Sequence, residues 1–160
     1  MTKKILELLH DNSKLTAKEI AVMIDRPEAE VAAAVAELEK NKIIVSYKTI
    51  INWEKTDYEK VSALIELKVT PQRGGGFEAI AEKIYNYPEV SSLYLMSGAY
   101  DIMVIVEGKT MKDVALFVAN RLAPMDDVIS TATHFVLKKY KMDGTIFAEE
   151  QPDERSVITL

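Results

Sequence analysis

The polar chemistry of this sequence concentrates in one short stretch. Ser97-Gly98-Ala99-Tyr100-Asp101 lies between two apolar runs and combines a hydroxyl, a glycine and a carboxylate. Asp101 can hold a cation. Backbone N–H groups beside Gly98 can approach a ligand closely, because no Cβ intervenes. Ser97 offers a hydroxyl donor, and Thr131 and Thr133 offer two more from a later run. One fixed anion and several donors suit a small zwitterion. The same residues also fit a plain turn, with Gly98 making the bend, Asp101 bonding local backbone and Tyr100 packed as an ordinary aromatic. From spacing alone both readings stand.

Other chemistry is sparse. The absence of cysteine removes disulfides, thiolate zinc sites and cysteine nucleophiles, and it suits a reducing cytoplasm. Only His10 and His134 are present, so a histidine-rich metal site is not expected. His134 reads as a core or interface residue, and His10 as a partner for the last carbonyls of a helix. Gly74-Gly75-Gly76 lacks the Lys-Ser/Thr of a P-loop and the glycine spacing of a dinucleotide fingerprint, so it reads as a flexible loop. No Ser-His-Asp spacing, paired-acid motif or cofactor signature appears. Neither catalysis nor a bound cofactor is expected.

These residues sit in an ordinary globular background. The chain has 160 residues, 48% hydrophobic and 28% charged, with a net charge of −5. Five acids and one base fall in residues 142–160, which read as a loosely attached acidic tail punctuated by Gly144 and Pro152. Val157, Ile158 and Leu160 suggest that this tail can add to a sheet edge. The opening MTKKILELLHDN turns polar after Leu9, too soon for a signal peptide. No apolar run approaches the roughly 20 residues of a membrane span.

The elements follow from periodicity. Ile5, Leu6 and Leu9 mark a helix over Lys3–His10. Thr16 and Glu19 form a capping box ahead of the stripe Ala17, Ile20, Ala21 and Ile24. Asp25-Arg26-Pro27 connects to a third helix over Glu28–Lys40 that buries Val31, Ala34, Val35 and Leu38, with Asn41 as its C-cap. The β-rich stretch Ile43–Ile51 then predicts a short hairpin or hinge strand. Three short helices and a β-wing make a winged helix-turn-helix over residues 1–52. A polar linker is expected over 53–60. From Val61 the pattern becomes strand, helix, strand, strand, helix, strand to residue 141. This βαββαβ order predicts a ferredoxin-like α+β domain, a four-stranded antiparallel sheet with two helices on one face.

With these elements in place the chain resembles the Lrp/AsnC, or feast/famine, regulators. Three segments carry the resemblance: VSSLYLMSGAYDIMV (Val90–Val104), LEKNKIIVSYKTIIN (Leu38–Asn52) and VISTATHFVLKK (Val128–Lys139). It covers the chain to about residue 141. It implies a cytoplasmic transcription regulator that binds double-stranded DNA through the first domain. It further implies a second domain, of RAM or ACT type, that senses an amino acid or similar small metabolite and assembles homodimers into tetramers or octamers. The sensing residues would be Ser97, Gly98, Tyr100 and Asp101, with Thr131 and Thr133 nearby on another chain.

The third helix is then the reading helix, and here the sequence departs from the family. Glu28, Glu30, Ala32, Ala33, Ala36, Glu37 and Glu39 occupy its non-core positions, where relatives usually carry Ser, Thr and Arg. Glu30 can accept a hydrogen bond from cytosine N4, and Ala33 lies on the same face. The acidity opposes phosphate docking. Basic help must come from Lys14, Lys18, Arg26, Lys40, Lys42 and Lys48. The alternative is an effector-binding assembly module that has lost sequence-specific DNA binding.

Overall fold

The structure is a computed structural model that describes residues 1–70 and 75–147. The chain divides into two compact units, Met1–Ile51 and the remainder from Asn52 onward.

The first unit contains α1 (Thr2–Asp11), α2 (Ala17–Ile24) and α3 (Glu28–Lys40). Ile5 and Leu9 of α1, Ile20 and Ala21 of α2, and Val31 and Leu38 of α3 close a small apolar core. Burying each large side chain contributes about 1.5–3 kcal/mol. With so few of them, helix ends matter. The Thr16–Glu19 capping box forms in full and satisfies orphan N–H groups at the start of α2, an effect of about 0.5–2 kcal/mol. Hydrogen bonds from the Thr16 backbone and then its side chain hold the Glu19 carboxyl below the usual carboxylate range. Helix α3 ends in a Schellman arrangement. Ile43 N–H bonds Leu38 O at 2.9 Å and Lys42 N–H bonds Glu39 O at 3.0 Å. Asn41 is the C-cap, but the left-handed residue is Lys42, at φ 58°.

The expected wing is not a strand. Residues 45–52 run without a ladder partner among the described residues. β-propensity supplies side chains suited to a sheet, but a strand also needs a neighbour to receive its N–H and C=O groups. One tie fixes the segment: Tyr47 Oη donates to Glu39 Oε1 at 2.8 Å.

The second unit is the four-stranded sheet. Strands β1 (Val61–Val69), β2 (Val90–Leu95), β3 (Ile102–Gly108) and β4 (Val128–Phe135) lie in the order β2-β3-β1-β4, all antiparallel. Helix α4 (Gly76–Tyr85) and helix α5 (Met111–Phe117), which continues as a π-turn over Val118–Leu122, cover one face. Strand alternation decides which side chains enter that layer. Ala63, Ile65, Leu67 and Val69, with Ile102, Val104 and Val106, pack beneath Ile80, Ile84, Val114 and Leu122. The other face is open. It carries Leu64, Met103, Ile105 and the exposed Tyr94, with Glu66 and His134 paired at 3.3 Å. His134 is therefore on the open face, not in the core.

Two segments beside the expected boundaries carry local structure. Residues 53–60 follow the unit boundary and are tied down. Trp53–Lys55 form a 3₁₀ turn, Lys60 Nζ sits 5.2 Å from the Trp53 ring centroid, and the same Nζ pairs with Glu107 of β3 at 2.8 Å. The cation–π contact and ion pair hold the segment against the sheet domain. The start of the acidic tail is also ordered. Strands β5 (Lys141–Met142) and β6 (Thr145–Ile146) make a hairpin around Asp143-Gly144, both at positive φ as a type I′ turn requires. Val157, Ile158 and Leu160 lie outside the described residues.

Candidate functional site

The β2–β3 hairpin builds the corner anticipated at Ser97–Asp101. Leu95 and Ile102 form its last ladder pair, and Met96 N–H bonds Asp101 O at 2.7 Å to close the turn. Ser97, Gly98 and Ala99 are exposed at the tip, while Tyr100 and Asp101 are half-buried. The backbone of Asp101 also joins the next strand, its N–H donating to Leu67 O at 3.0 Å. Its carboxylate Oδ2 accepts the N–H of Val69 at 2.9 Å. That bond falls where the β1–β4 register shifts, between Lys68 and Val69. Asp101 thus mends the ladder at an irregularity, and Oδ1 has no partner among the described residues. Removing the Asp101 side chain therefore leaves a strand N–H unpaired.

Gly98 is informative for the opposite reason. Its φ lies outside the left-handed region, and a Cβ added there would meet nothing within 4 Å. Neither the turn nor the packing of this chain requires glycine at that position. Tyr100 matches the packed-aromatic reading, with its hydroxyl 3.8 Å from Met103 Sδ.

Thr131 and Thr133 do not join this corner within one chain. They pair with Leu67 and Ile65 across β1, so Thr131 is two strands from Ile102, roughly 10 Å at normal strand spacing. Both side chains point toward the helix-covered side and are half-buried.

In the first unit all of the anticipated contact residues are exposed: Lys14, Lys18, Arg26, Glu30, Ala33, Lys40, Lys42 and Lys48. None of the six basic side chains forms an ion pair among the described residues. Arg26 precedes the N-terminus of α3, while Lys40 and Lys42 flank its other end, roughly 20 Å away along a helix of this length. Acidic residues and alanines occupy the length between. Glu39, exposed on this helix, accepts a hydrogen bond from Tyr47 Oη. Burial first, then the hydrogen bond and charge of Glu39, push the Tyr47 phenol above its ordinary value. The Tyr47–Glu39 and Asp101–Val69 contacts left no signal in the residue pattern. Each depends on backbone routes that periodicity does not describe.

This geometry has counterparts. Residues 62–146 match the Lrp/AsnC ligand binding domain, and residues 1–45 match a winged helix-turn-helix DNA-binding domain. The chain is an Lrp/AsnC-family transcriptional regulator. Across 157 residues, 98% of the chain, this Lrp/AsnC protein is 48% identical to the uncharacterized HTH-type transcriptional regulator YugG of Bacillus subtilis, covering 95% of that relative. Two solved structures share its fold. E. coli AsnC superposes with a TM-score of 0.69 at 20% identity, covering 88% of this chain and 93% of AsnC. A Neisseria meningitidis transcriptional regulator, solved as a complex with L-Met, gives 0.72 at 23% identity, covering 88% and 90%. The regulator thus joins a DNA-binding domain to a ligand-binding domain. Among its described residues no helix is long and apolar enough to cross a membrane, and no group of three or more potential ligands could hold a metal ion.

Proposed function

We propose that this regulator is a cytoplasmic, sequence-specific binder of double-stranded DNA whose assembly and DNA affinity respond to an amino acid held at the Gly98–Asp101 corner. The observation that carries this reading is the corner itself. A half-buried carboxylate is fixed through one oxygen to Val69 while its other oxygen has no partner among the described residues, beside a glycine whose Cβ would meet nothing there. Asp101 receives the ammonium group. Backbone N–H groups near Gly98 and the Ser97 hydroxyl receive the carboxylate, with Tyr100 alongside. Thr131 and Thr133 of a second copy complete the site, since those of the same chain lie too far away. The L-Met complex of the Neisseria regulator supports an amino acid as the effector class.

Assembly follows from the open sheet face. Leu64, Met103, Ile105 and Tyr94 form an apolar surface that a second copy covers, giving a dimer that associates further into a tetramer or octamer. Bound amino acid favours one arrangement of dimers and so changes the spacing of the DNA-binding domains. The protein acts by binding, not catalysis. DNA contact uses the α3 face around Glu30 and Ala33, with phosphates met by Lys14, Lys18, Arg26, Lys40, Lys42 and Lys48. Because the middle of that face is acidic, each copy binds weakly and pairing supplies avidity. The acidity also favours a second reading, an effector-sensing assembly module without operator recognition.

Calorimetric titration of the twenty amino acids into the wild type, Asp101→Asn and Gly98→Val tests the site. At least one amino acid binds the wild type, and both variants weaken it. Equal binding by all three proteins places the site elsewhere. No binding to the wild type removes the amino-acid reading.

A further inference from the structure

Within the DNA-binding domain, every exposed side chain of α3 is glutamate or alanine until Lys40, its last residue. An ionised carboxylate only accepts hydrogen bonds, and an alanine methyl neither donates nor accepts. The helix therefore carries acceptors and methyl groups but no side-chain donor ahead of Lys40. Base edges in the major groove differ in what they ask of such a helix. Guanine shows two acceptors, cytosine a donor, adenine an acceptor beside a donor, and thymine an acceptor beside a methyl group. Without donors, α3 has nothing to offer guanine. It can meet only amines and methyl groups.

Placement narrows the readers. Val31 and Leu38 are buried and mark the inner side of α3. At 3.6 residues per turn, Ala29, Ala33 and Ala36 form the line opposite them, and Glu30 stands beside Ala33 at the i, i+3 spacing. Reading helices of helix-turn-helix domains contact base edges with their N-terminal residues. That selects Glu30, Ala29 and Ala33. Glu30 lies in the first turn, where the positive end of the helix dipole offsets its charge. Glu39 lies in the last turn, where it accepts from Tyr47 Oη at 2.8 Å.

We propose that α3 selects operators by pairing Glu30 with the N4 amine of a cytosine and packing Ala33 on the methyl group of a neighbouring thymine, with no readout of guanine. The inference rests on the sequence-specific DNA reading above and adds the base chemistry. Cytosine is favoured over the other bases for electrostatic reasons. Thymine in its place turns the O4 lone pairs toward the carboxylate. Adenine offers an amine too, but its N7 acceptor lies beside that amine and repels the second carboxylate oxygen, whereas cytosine has only a C–H there. Alanine at the outer line suits the thymine contact, because its short side chain lets the α3 backbone approach the base edges. Glu30 and Ala33 are roughly 4.5 Å apart along the helix at 1.5 Å per residue, so the two bases fall within about two base pairs of each other at roughly 3.4 Å per pair.

The test is selection from a pool of random-sequence duplexes by the full chain, as wild type, Glu30→Gln and Ala33→Gly, followed by fluorescence anisotropy on the selected duplex. Glu30→Gln is nearly isosteric at an exposed position, so it retains the fold. Where Ala33→Gly loosens the helix, duplexes carrying uracil for thymine read the same methyl contact on the wild type. The wild type is expected to select a cytosine–guanine pair with thymine close by. Changing that cytosine to thymine, with its partner, should weaken binding about fivefold or more. Replacing the paired guanine by 7-deazaguanine, which lacks the N7 acceptor, should leave affinity unchanged. Uracil for thymine should cost the wild type about threefold, and Ala33→Gly less. Glu30→Gln gains a donor beside its acceptor and should shift preference toward adenine. Weaker binding to the 7-deazaguanine duplex, or a base ranking unchanged in Glu30→Gln, overturns the cytosine readout. Equal binding of uracil and thymine duplexes by the wild type overturns the methyl contact. In each of these cases sequence-specific binding stands. Failure of the wild type to enrich any sequence overturns the inference together with the sequence-specific reading beneath it.

Discussion

Asp101 Oδ2 accepts the backbone N–H of Val69 at 2.9 Å across 32 residues of sequence, where the β1–β4 ladder changes register. One oxygen of the proposed ammonium partner is therefore part of the sheet. Charge and backbone support at this position can be separated. Asp101→Asn keeps an acceptor for Val69 and loses the charge. It is expected to stay within about 1 kcal/mol of wild-type stability while effector affinity falls about ten- to hundredfold. Asp101→Ala leaves the Val69 N–H unpaired and is expected to cost about 1–3 kcal/mol in denaturant unfolding as well. Equal stability of the two variants would contradict the structural role.

Lys42 offers a similar separation in the DNA-binding domain. It follows the C-cap of α3 at φ 58°, a conformation that costs a non-glycine residue about 1–2 kcal/mol. Lys42→Gly removes the charge and relieves the strain. Stability is expected to be unchanged or raised, while the slope of log affinity against log salt falls by about one unit. An unchanged slope means that Lys42 does not meet a phosphate.

The acidic middle of α3 predicts a gain from mutation. Glu30→Lys combined with Ala33→Lys should strengthen non-specific DNA binding and steepen its salt dependence, read by fluorescence anisotropy. Both side chains are exposed, so the fold should persist. Unchanged binding means that this face does not approach DNA.

Where residue pattern and final structure agree, one physical rule dominated. The stripes of α2 and α3 and the alternation of Val61–Val69 each divide buried from exposed side chains, and the elements appear where those divisions fall. The winged helix-turn-helix was legible, but the strand expected over Ile43–Ile51 does not form, because Ile43, Val45 and Tyr47 carry strand propensity without a ladder partner among the described residues. The internal structure of residues 53–60 was not legible, because Trp53 and Lys60 pack across a turn that composition reads as merely polar. At the candidate site, Gly98 and Asp101 were legible as residue types. The bond to Val69 was not, because it depends on a register shift in a different strand pair.

Two titrations bracket the DNA-binding domain. The lowered Glu19 pKa favours its charged form in the folded state. Its stabilisation is present above the unfolded carboxylate value and lost as pH falls through the folded one. The raised Tyr47 pKa favours the neutral phenol. Its contribution is present below the unfolded value near 10 and lost as pH rises through the folded one. Glu19→Gln should flatten the acid limb of thermal stability, and Tyr47→Phe the alkaline limb. Unchanged limbs would remove both linkages.

Assembly through the open sheet face predicts a dimer or larger species by light scattering at micromolar concentration. Ile105→Asp charges that face without entering the helix-covered core, and it is expected to yield a folded smaller species. A wild type that is strictly monomeric would contradict the assembly, and an Ile105→Asp protein of unchanged mass would place the interface elsewhere.

The central claim joins effector to DNA, and one measurement addresses both. Fluorescence anisotropy is recorded with DNA from the protein's own promoter, at low and physiological salt, with and without the amino acid that binds best, for wild type and Asp101→Asn. The predicted result is sequence-preferring binding that weakens steeply with salt and shifts several-fold with the amino acid in the wild type alone. Binding that does not distinguish promoter from unrelated DNA, or an amino-acid response equal in both proteins, would contradict the account.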